Sequence, residues 1–192
     1  MEAACIFGSN GKFLGVDKSE AVVKGAQANA EASGLSHAAK FQALNARALE
    51  RIFDSGSFDV VVTNPPWGIR VGKDAELEKI YKGFLYSCAK VMKVGGRLVF
   101  IVQRCEMVLE IIRKTGHFNV LEMCAVKTGD LVPTIFVLEN LGKDQVRESL
   151  KQQVRKLTPL ISISKSNHSK VEEVSTVVGE EDEPQPQDGS EP

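Results

Sequence analysis

The sequence lacks several features that would each assign it to a class of proteins. Its 192 residues contain no apolar run near the ~18 residues that cross a bilayer, so we expect no membrane segment. The four cysteines, at 5, 88, 105 and 124, form no C-x-x-C pair, and the three histidines stand far apart. Neither a zinc site nor a disulfide framework is therefore predicted. The first residues also lack the basic start and apolar stretch of a secretory leader, so we expect a cytoplasmic or nuclear protein.

The net charge of −1 conceals an asymmetry between the two ends of the chain. Residues 171–192 carry eight acidic side chains and no Lys or Arg, which leaves residues 1–170 with a net charge of +7. A basic body is compatible with a polyanionic partner such as RNA. On charge alone, a solubilising surface is the simpler interpretation.

Strand patterns alternate with helical patterns through most of the chain. The alternation predicts a parallel sheet in an α/β fold, and two consecutive strands at the end predict an antiparallel strand at one edge. The β-branched run 58–63 is typical of a strand buried on both faces of such a sheet. We expect one domain over 1–140, a helix and linker over 141–163, and a disordered acidic tail over 164–192. The predicted strands are 11–17, 40–44, 58–63, 97–102, 120–126 and 134–138, and the predicted helices follow Ser19 and span 74–93 and 105–114.

The most informative motif is Asn64-Pro65-Pro66-Trp67-Gly68, directly after the third predicted strand. Open α/β sheets bind ligands at this end of their parallel strands. The Asn64 side-chain oxygen and the Pro65 carbonyl are acceptors that can orient an exocyclic amine. Trp67 offers a face for stacking a base, and Gly68 permits close approach of the backbone. A rigid turn beside a half-buried tryptophan is the alternative, and the proline pair after a β-branched strand favours function.

Asp17 ends the first predicted strand. An acidic residue in this position commonly accepts hydrogen bonds from the ribose of a nucleoside cofactor. It can equally be a helix N-terminal acid beside Ser19, favoured by the helix dipole.

The motif resembles motif IV of the amino-methyltransferases. Residues 1–140 resemble the RNA guanine-N2 methyltransferases, a family that includes the rRNA large-subunit K/L-like enzymes and the THUMP-domain tRNA branch. The resemblance implies a Rossmann-like fold with S-adenosylmethionine as the cofactor and RNA, most directly tRNA, as the substrate. It implies catalytic roles for Asn64, Pro65, Pro66 and Trp67, cofactor contacts from Asp17, Asn45 and Asn64, and substrate contacts from Trp67 and Gly68. Asn45 stands where the family has an aspartate; it retains an acceptor for adenine, or is a simple turn residue.

Two parts of the family pattern are missing. Glu2-Ala3-Ala4 resembles the end of the helix that follows the family's glycine-rich loop, but the loop and the strand before it have no counterpart in the sequence. We therefore expect an N-terminally truncated domain with a partial sheet, and this leaves room for an activating protein subunit. Alternatives are N6-adenine methylation of nucleic acid, which the same motif serves, and an inactive RNA- or protein-binding module.

Overall fold

The computed structural model describes residues 1–68 and 74–142. Beyond residue 142, the predicted helix and linker and the acidic tail lie outside the described residues, so those predictions stay untested. No helix of the described ranges is both long and apolar enough to cross a bilayer.

Helices and strands alternate as the sequence predicts. The helices are α1 (Glu2–Phe7), α2 (Glu20–Ala32), α3 (Asp74–Val91) and α4 (Cys105–Thr115). The strands are β1 (Phe13–Asp17), β2 (Ala39–Ala43), β3 (Phe58–Thr63), β4 (Met92–Val102), β5 (Phe118–Ala125) and β6 (Thr134–Asn140). Short 3-10 turns occur at Gly8–Asn10 and Leu49–Arg51.

The strands form two separate sheets. β1 and β2 pair in parallel, and the second sheet has the order β3-β4-β6-β5. β3 and β4 are parallel, whereas β6 is antiparallel to both of its neighbours. The predicted antiparallel strand is therefore β6, which lies inside the sheet and not at its edge. After β4 and α4 the chain first forms β5 at the edge of the sheet, and the β5–β6 hairpin then places β6 between β5 and β4.

No strand pairing joins the two sheets in the described part of the chain. β1 pairs only with β2 and β3 only with β4, so each keeps one edge without a strand neighbour there. β1 and β3 do not pair with each other in the described residues, and the absence of a counterpart to the family's first strand stays a prediction.

The main core lies between the four-stranded sheet and helices α3 and α4. The rings of Phe100 and Phe136, on neighbouring strands, stack with centroids 5.3 Å apart. Phe84 of α3 meets Phe100 edge to face at 6.2 Å. α4 ends at Gly116, whose φ of 65° is the left-handed conformation that favours glycine at a helix C-terminus.

The prediction that β3 is buried on both faces is wrong. Val61 packs against the main core, but Val60 and Val62 are 54% and 73% exposed. Alternate residues of a strand point to opposite faces, so Val60 and Val62 share the face directed away from Val61. The described residues leave that face largely open. The β-branched run indicates that the segment forms a strand. Burial of both faces would also require other residues to pack on the face that holds Val60 and Val62.

Asn140, at the end of β6, holds the junction between α3 and β4. It is only 2% exposed, and its Nδ2 donates to the carbonyl oxygens of Ala89, Met92 and Lys93 at 3.2, 3.0 and 3.2 Å. The last carbonyls of a helix lack partners within the helix, so a buried helix end needs a donor from elsewhere. Asn140 provides that donor.

Replacing Asn140 should test this role. Asn140→Ala is expected to lower the free energy of unfolding by about 2–3 kcal/mol, because buried carbonyls lose their partner. Urea unfolding followed by circular dichroism measures the change. Asn119→Ala on β5, where the side chain is only half-buried, is the matched control. Equal stability of the two variants would contradict the assignment.

Candidate functional site

The motif after β3 is fixed to the end of β4 through its tryptophan. The indole Nε1 of Trp67 donates to Asn64 Oδ1 at 2.8 Å and to the carbonyl oxygen of Ile101 at 3.2 Å. The first bond orients the Asn64 amide, and the second ties the motif to the neighbouring strand. An amide oxygen has two lone pairs, so Asn64 Oδ1 can still accept one more hydrogen bond.

Helix α3 holds the motif from the other side. The Tyr81 hydroxyl, on a side chain 1% exposed, donates to the Pro66 carbonyl at 2.7 Å. Burial raises the pKa of Tyr81 to about 12, so the hydroxyl remains a donor at neutral pH. Gly68 has a φ of 85°, and a Cβ there would lie 2.7 Å from Leu77 Cδ2. Gly68 therefore serves the packing of the motif onto α3, whatever else it contacts.

Asp17 lies exposed at the carboxyl end of β1. Its Oδ1 accepts from the backbone N–H of Ser19 at 2.8 Å, and Ser19 Oγ accepts from the N–H of Val22 at 3.4 Å. Ser19 is therefore the N-cap of α2, as predicted. The carboxylate of Asp17 orders the turn into this helix through one of its oxygens.

Asn45 follows β2 at the same edge of the small sheet. Its Oδ1 accepts from the backbone N–H of Arg47 at 3.0 Å and from Arg47 Nε at 3.4 Å. The aliphatic part of Arg47 lies against α3, since a Cβ on Gly83 would be 3.2–3.4 Å from its side-chain carbons. These two hydrogen bonds match the turn role and use both lone pairs of the oxygen, so an adenine amino group would have to replace Arg47 Nε.

The structure places two of the predicted residues, Asp17 and Asn45, beside each other, and it links their turn and the proline motif to the same helix. The N–H of Leu44 donates to the carbonyl oxygen of Asp17 at 2.9 Å, which places the turn holding Asn45 beside the end of β1. The Asn45 turn reaches α3 at Gly83, and the proline motif reaches the same helix at Tyr81, two residues away. A single stretch of α3 thus supports both loops.

Sequence reasoning missed the residues that hold the site. Tyr81 belongs to the apolar stripe of α3, where the pattern indicates only a core residue. The Ile101 carbonyl and the Arg47 stem carry no sequence signal, because one is backbone and the other acts through its methylene groups. A tyrosine within an apolar stripe is nevertheless a hint, since a buried hydroxyl needs a partner.

The described residues around the site include neither a group of metal ligands nor a disulfide. No group of three His, Cys, Asp or Glu side chains in residues 1–68 and 74–142 is placed to hold a metal ion. None of the cysteines, all of which lie in the described residues, forms a disulfide: Cys88 and Cys105 are buried, and Cys5 and Cys124 are exposed.

The parallel strands and their crossover helices form a Rossmann-like fold of the methyltransferase type, with Asp17 at the end of β1 and the proline motif at the end of β3. Residues 2–133 match the model of the RMKL-like methyltransferase domain. The chain belongs to this family.

Curated relatives support the same assignment. The chain is 32% identical over 127 residues to a tRNA (guanine(6)-N2)-methyltransferase of Methanocaldococcus jannaschii, covering 66% of this chain and 32% of that protein. It is 30% identical over 141 residues to the protein of the same name from Thermus thermophilus, covering 73% and 41%. The crystal structure of TrmN from Thermus thermophilus superposes with a TM-score of 0.64 at 29% identity, covering 73% of this chain and 40% of that one. The chain thus spans 32–41% of the length of these relatives.

The indole hydrogen bonds can be tested by removing the N–H donor and keeping a smaller aromatic side chain. Trp67→Phe is expected to lower the free energy of unfolding by about 1–2 kcal/mol, because the single indole N–H shared by both acceptors is lost together with part of the ring. Circular dichroism in urea measures the loss. Tyr86→Phe, which removes a polar atom from an exposed aromatic ring of α3, is the control and should be neutral. An unchanged unfolding midpoint in Trp67→Phe would show that the indole does not anchor the motif.

Proposed function

We propose that this domain belongs to an enzyme that transfers a methyl group from S-adenosylmethionine to the exocyclic N2 of guanosine in RNA, most directly tRNA. The observation that carries the proposal is the anchored Asn64 amide, which lies at the carboxyl end of β3 with one acceptor lone pair to spare. The names of the curated relatives supply the guanosine and the tRNA. The net charge of +7 over residues 1–170 suits a polyanionic substrate.

The residues present fit one end of the cofactor. Asp17 and Asn45 share an edge of the β1–β2 pair, and both carry oxygens that can accept hydrogen bonds. Asp17 would accept from the ribose hydroxyls, and Asn45 would accept from the adenine amino group in place of the longer bond from Arg47 Nε. When bound, the cofactor supplies a methyl group on a sulfonium centre. No group in the described residues is assigned to its methionine end.

Asn64 and Pro65 would hold the substrate amine. The Asn64 Oδ1 and the Pro65 carbonyl oxygen would accept hydrogen bonds from the two N–H groups of the amine. This arrangement aims the nitrogen lone pair away from both acceptors. Such a transfer needs alignment more than a strong base, because the amine can lose its proton after attack. Trp67 would stack on the base, which must first leave its own stack to reach the site.

The split between the sheets supports a requirement for an additional polypeptide segment. The free edges of β1 and β3 face strand positions that the described residues do not fill. An activating protein subunit, or a further segment of the same protein, would complete the sheet by pairing with these edges. The competing proposal, a non-catalytic RNA- or protein-binding module, rests on the same split and predicts no methyl transfer under any condition.

The amide acceptor gives the most direct test of the proposed chemistry. In a form of the protein that methylates RNA, Asn64→Ala is expected to abolish transfer and leave cofactor affinity nearly unchanged, because the amide acts on the incoming amine. Trp67→Ala should weaken substrate binding and turnover together. Methyl incorporation and calorimetry measure the two effects, and Asn119→Ala, on β5, is the control. Full turnover in Asn64→Ala would remove the central claim.

The polypeptide of residues 1–192 should bind S-adenosylmethionine very weakly. Asp17 and Asn45 are the contacts proposed for the ribose and adenine, with Asn64 assigned to the substrate amine, and these two must offset the entropy of immobilising the ligand. At about 1–3 kcal/mol for each hydrogen bond, affinity would be near or weaker than about 1 mM. Calorimetry on this polypeptide decides the matter, and micromolar binding would mean that other groups hold the methionine end.

A further inference from the structure

Gln103 carries a buried hydrogen-bonding atom that the protein leaves unused. Its side-chain oxygen Oε1 is buried, and it has no hydrogen-bond partner in the described part of the chain. An unsatisfied buried acceptor is costly, and native proteins tolerate few of them. Such an atom in a native fold calls for an explanation, and a ligand that donates to it is one.

The position of Gln103 connects this atom with the substrate site. It is the first residue after β4, so it lies at the carboxyl edge of the parallel β3–β4 pair. Thr63 pairs with Phe100, which brings the motif that follows Thr63 alongside the end of β4. Trp67 bonds to the carbonyl of Ile101, only two residues before Gln103. Gln103 therefore follows the same end of β4 to which Trp67, the proposed base-stacking residue, is hydrogen-bonded.

The chemistry of the proposed substrate supplies a matching donor. In guanine, the N2 amine is adjacent to the ring N1–H, which is also a donor. If Asn64 and Pro65 accept from the amine, the N1–H beside it needs a further acceptor. Adenine differs here, because the ring nitrogen next to its exocyclic amine is an acceptor and would face an oxygen. A site with a buried acceptor discriminates strongly between such bases, since the wrong base leaves polar groups unpaired.

We propose that Gln103 is the residue that determines base specificity, with its Oε1 accepting a hydrogen bond from N1–H of the guanine. The inference rests on the proposed function and adds the choice between guanine and adenine, which the proline motif alone leaves open.

The test uses the polypeptide of residues 1–192 and the fluorescence of Trp67, its only tryptophan. The probes are short single-stranded oligouridines with one central guanosine, N1-methylguanosine or adenosine. The wild-type chain is expected to bind the guanosine oligomer about tenfold more tightly than either of the others. In Gln103→Met this preference should fall to about twofold or less, because the acceptor is gone. Gln103→Glu, which keeps an acceptor oxygen, should retain it.

Thermal melting separates recognition from a structural role. Gln103→Met is expected to melt at the same or a higher temperature, since it removes a buried polar atom that has no partner. Gln42→Met, at an exposed position on β2, is the matched control and should change neither melting nor base preference. A lower melting temperature of Gln103→Met together with a lost preference would assign Gln103 to the fold and overturn the proposal.

The outcomes also separate this proposal from the one on which it rests. Guanosine binding with an unchanged preference in Gln103→Met overturns the role of Gln103 and leaves guanosine as the substrate. Equal binding of guanosine and adenosine by the wild-type chain does the same, whether or not the methionine variant folds. A wild-type chain that binds no guanosine oligomer overturns the role of Gln103 in this chain, whereas the methyl-transfer test of Asn64→Ala decides the proposed function separately.

Discussion

The arrangement of the whole domain depends on one buried hydroxyl group. Ser87 Oγ, on a fully buried residue of α3, accepts from the N–H of Leu49 at 2.7 Å and donates to the Glu50 carboxylate at 2.7 Å. Leu49 and Glu50 belong to the turn that follows β2, whereas α3 packs on the four-stranded sheet. No strand pair joins the two sheets in the described residues, so their relative position depends on contacts such as this one, the Arg47 stem on Gly83 and the edge-to-face contact of Phe53 with Phe58 of β3.

That position matters because the site draws on both sheets. Asp17 and Asn45 come from the small sheet, and the proline motif comes from the large one. α3 contacts the Asn45 turn through Gly83 and the motif through Tyr81, so a shift of the helix would displace both loops together. The helix thus acts as the common support of a site to which it contributes no proposed ligand contact.

The sequence allowed the order and type of the elements to be predicted, because the signals were local. The apolar stripe of α3, the Ser19 cap and the glycine at 116 each act within a few residues. Burial of β3 was predicted wrongly, because exposure depends on what covers the strand and the β-branched run is silent on that. The hydrogen bond between Trp67 and Asn64 was also missed. A pattern shows that both residues are present, but only the fold shows that the indole N–H reaches the amide.

The edge of β3 that no described strand covers has a consequence for how this polypeptide behaves in a cell. A β-branched strand with a free edge and the exposed side chains of Val60 and Val62 is a template for another extended chain, and such strands drive aggregation. Asp59, which is ion-paired with Lys93 of β4, places a charge within this apolar strand. Charged residues in or beside such strands oppose their aggregation. The abundance of the polypeptide would then be limited by chaperones and proteases that recognise unprotected strands, and covering this edge would determine how long each molecule survives.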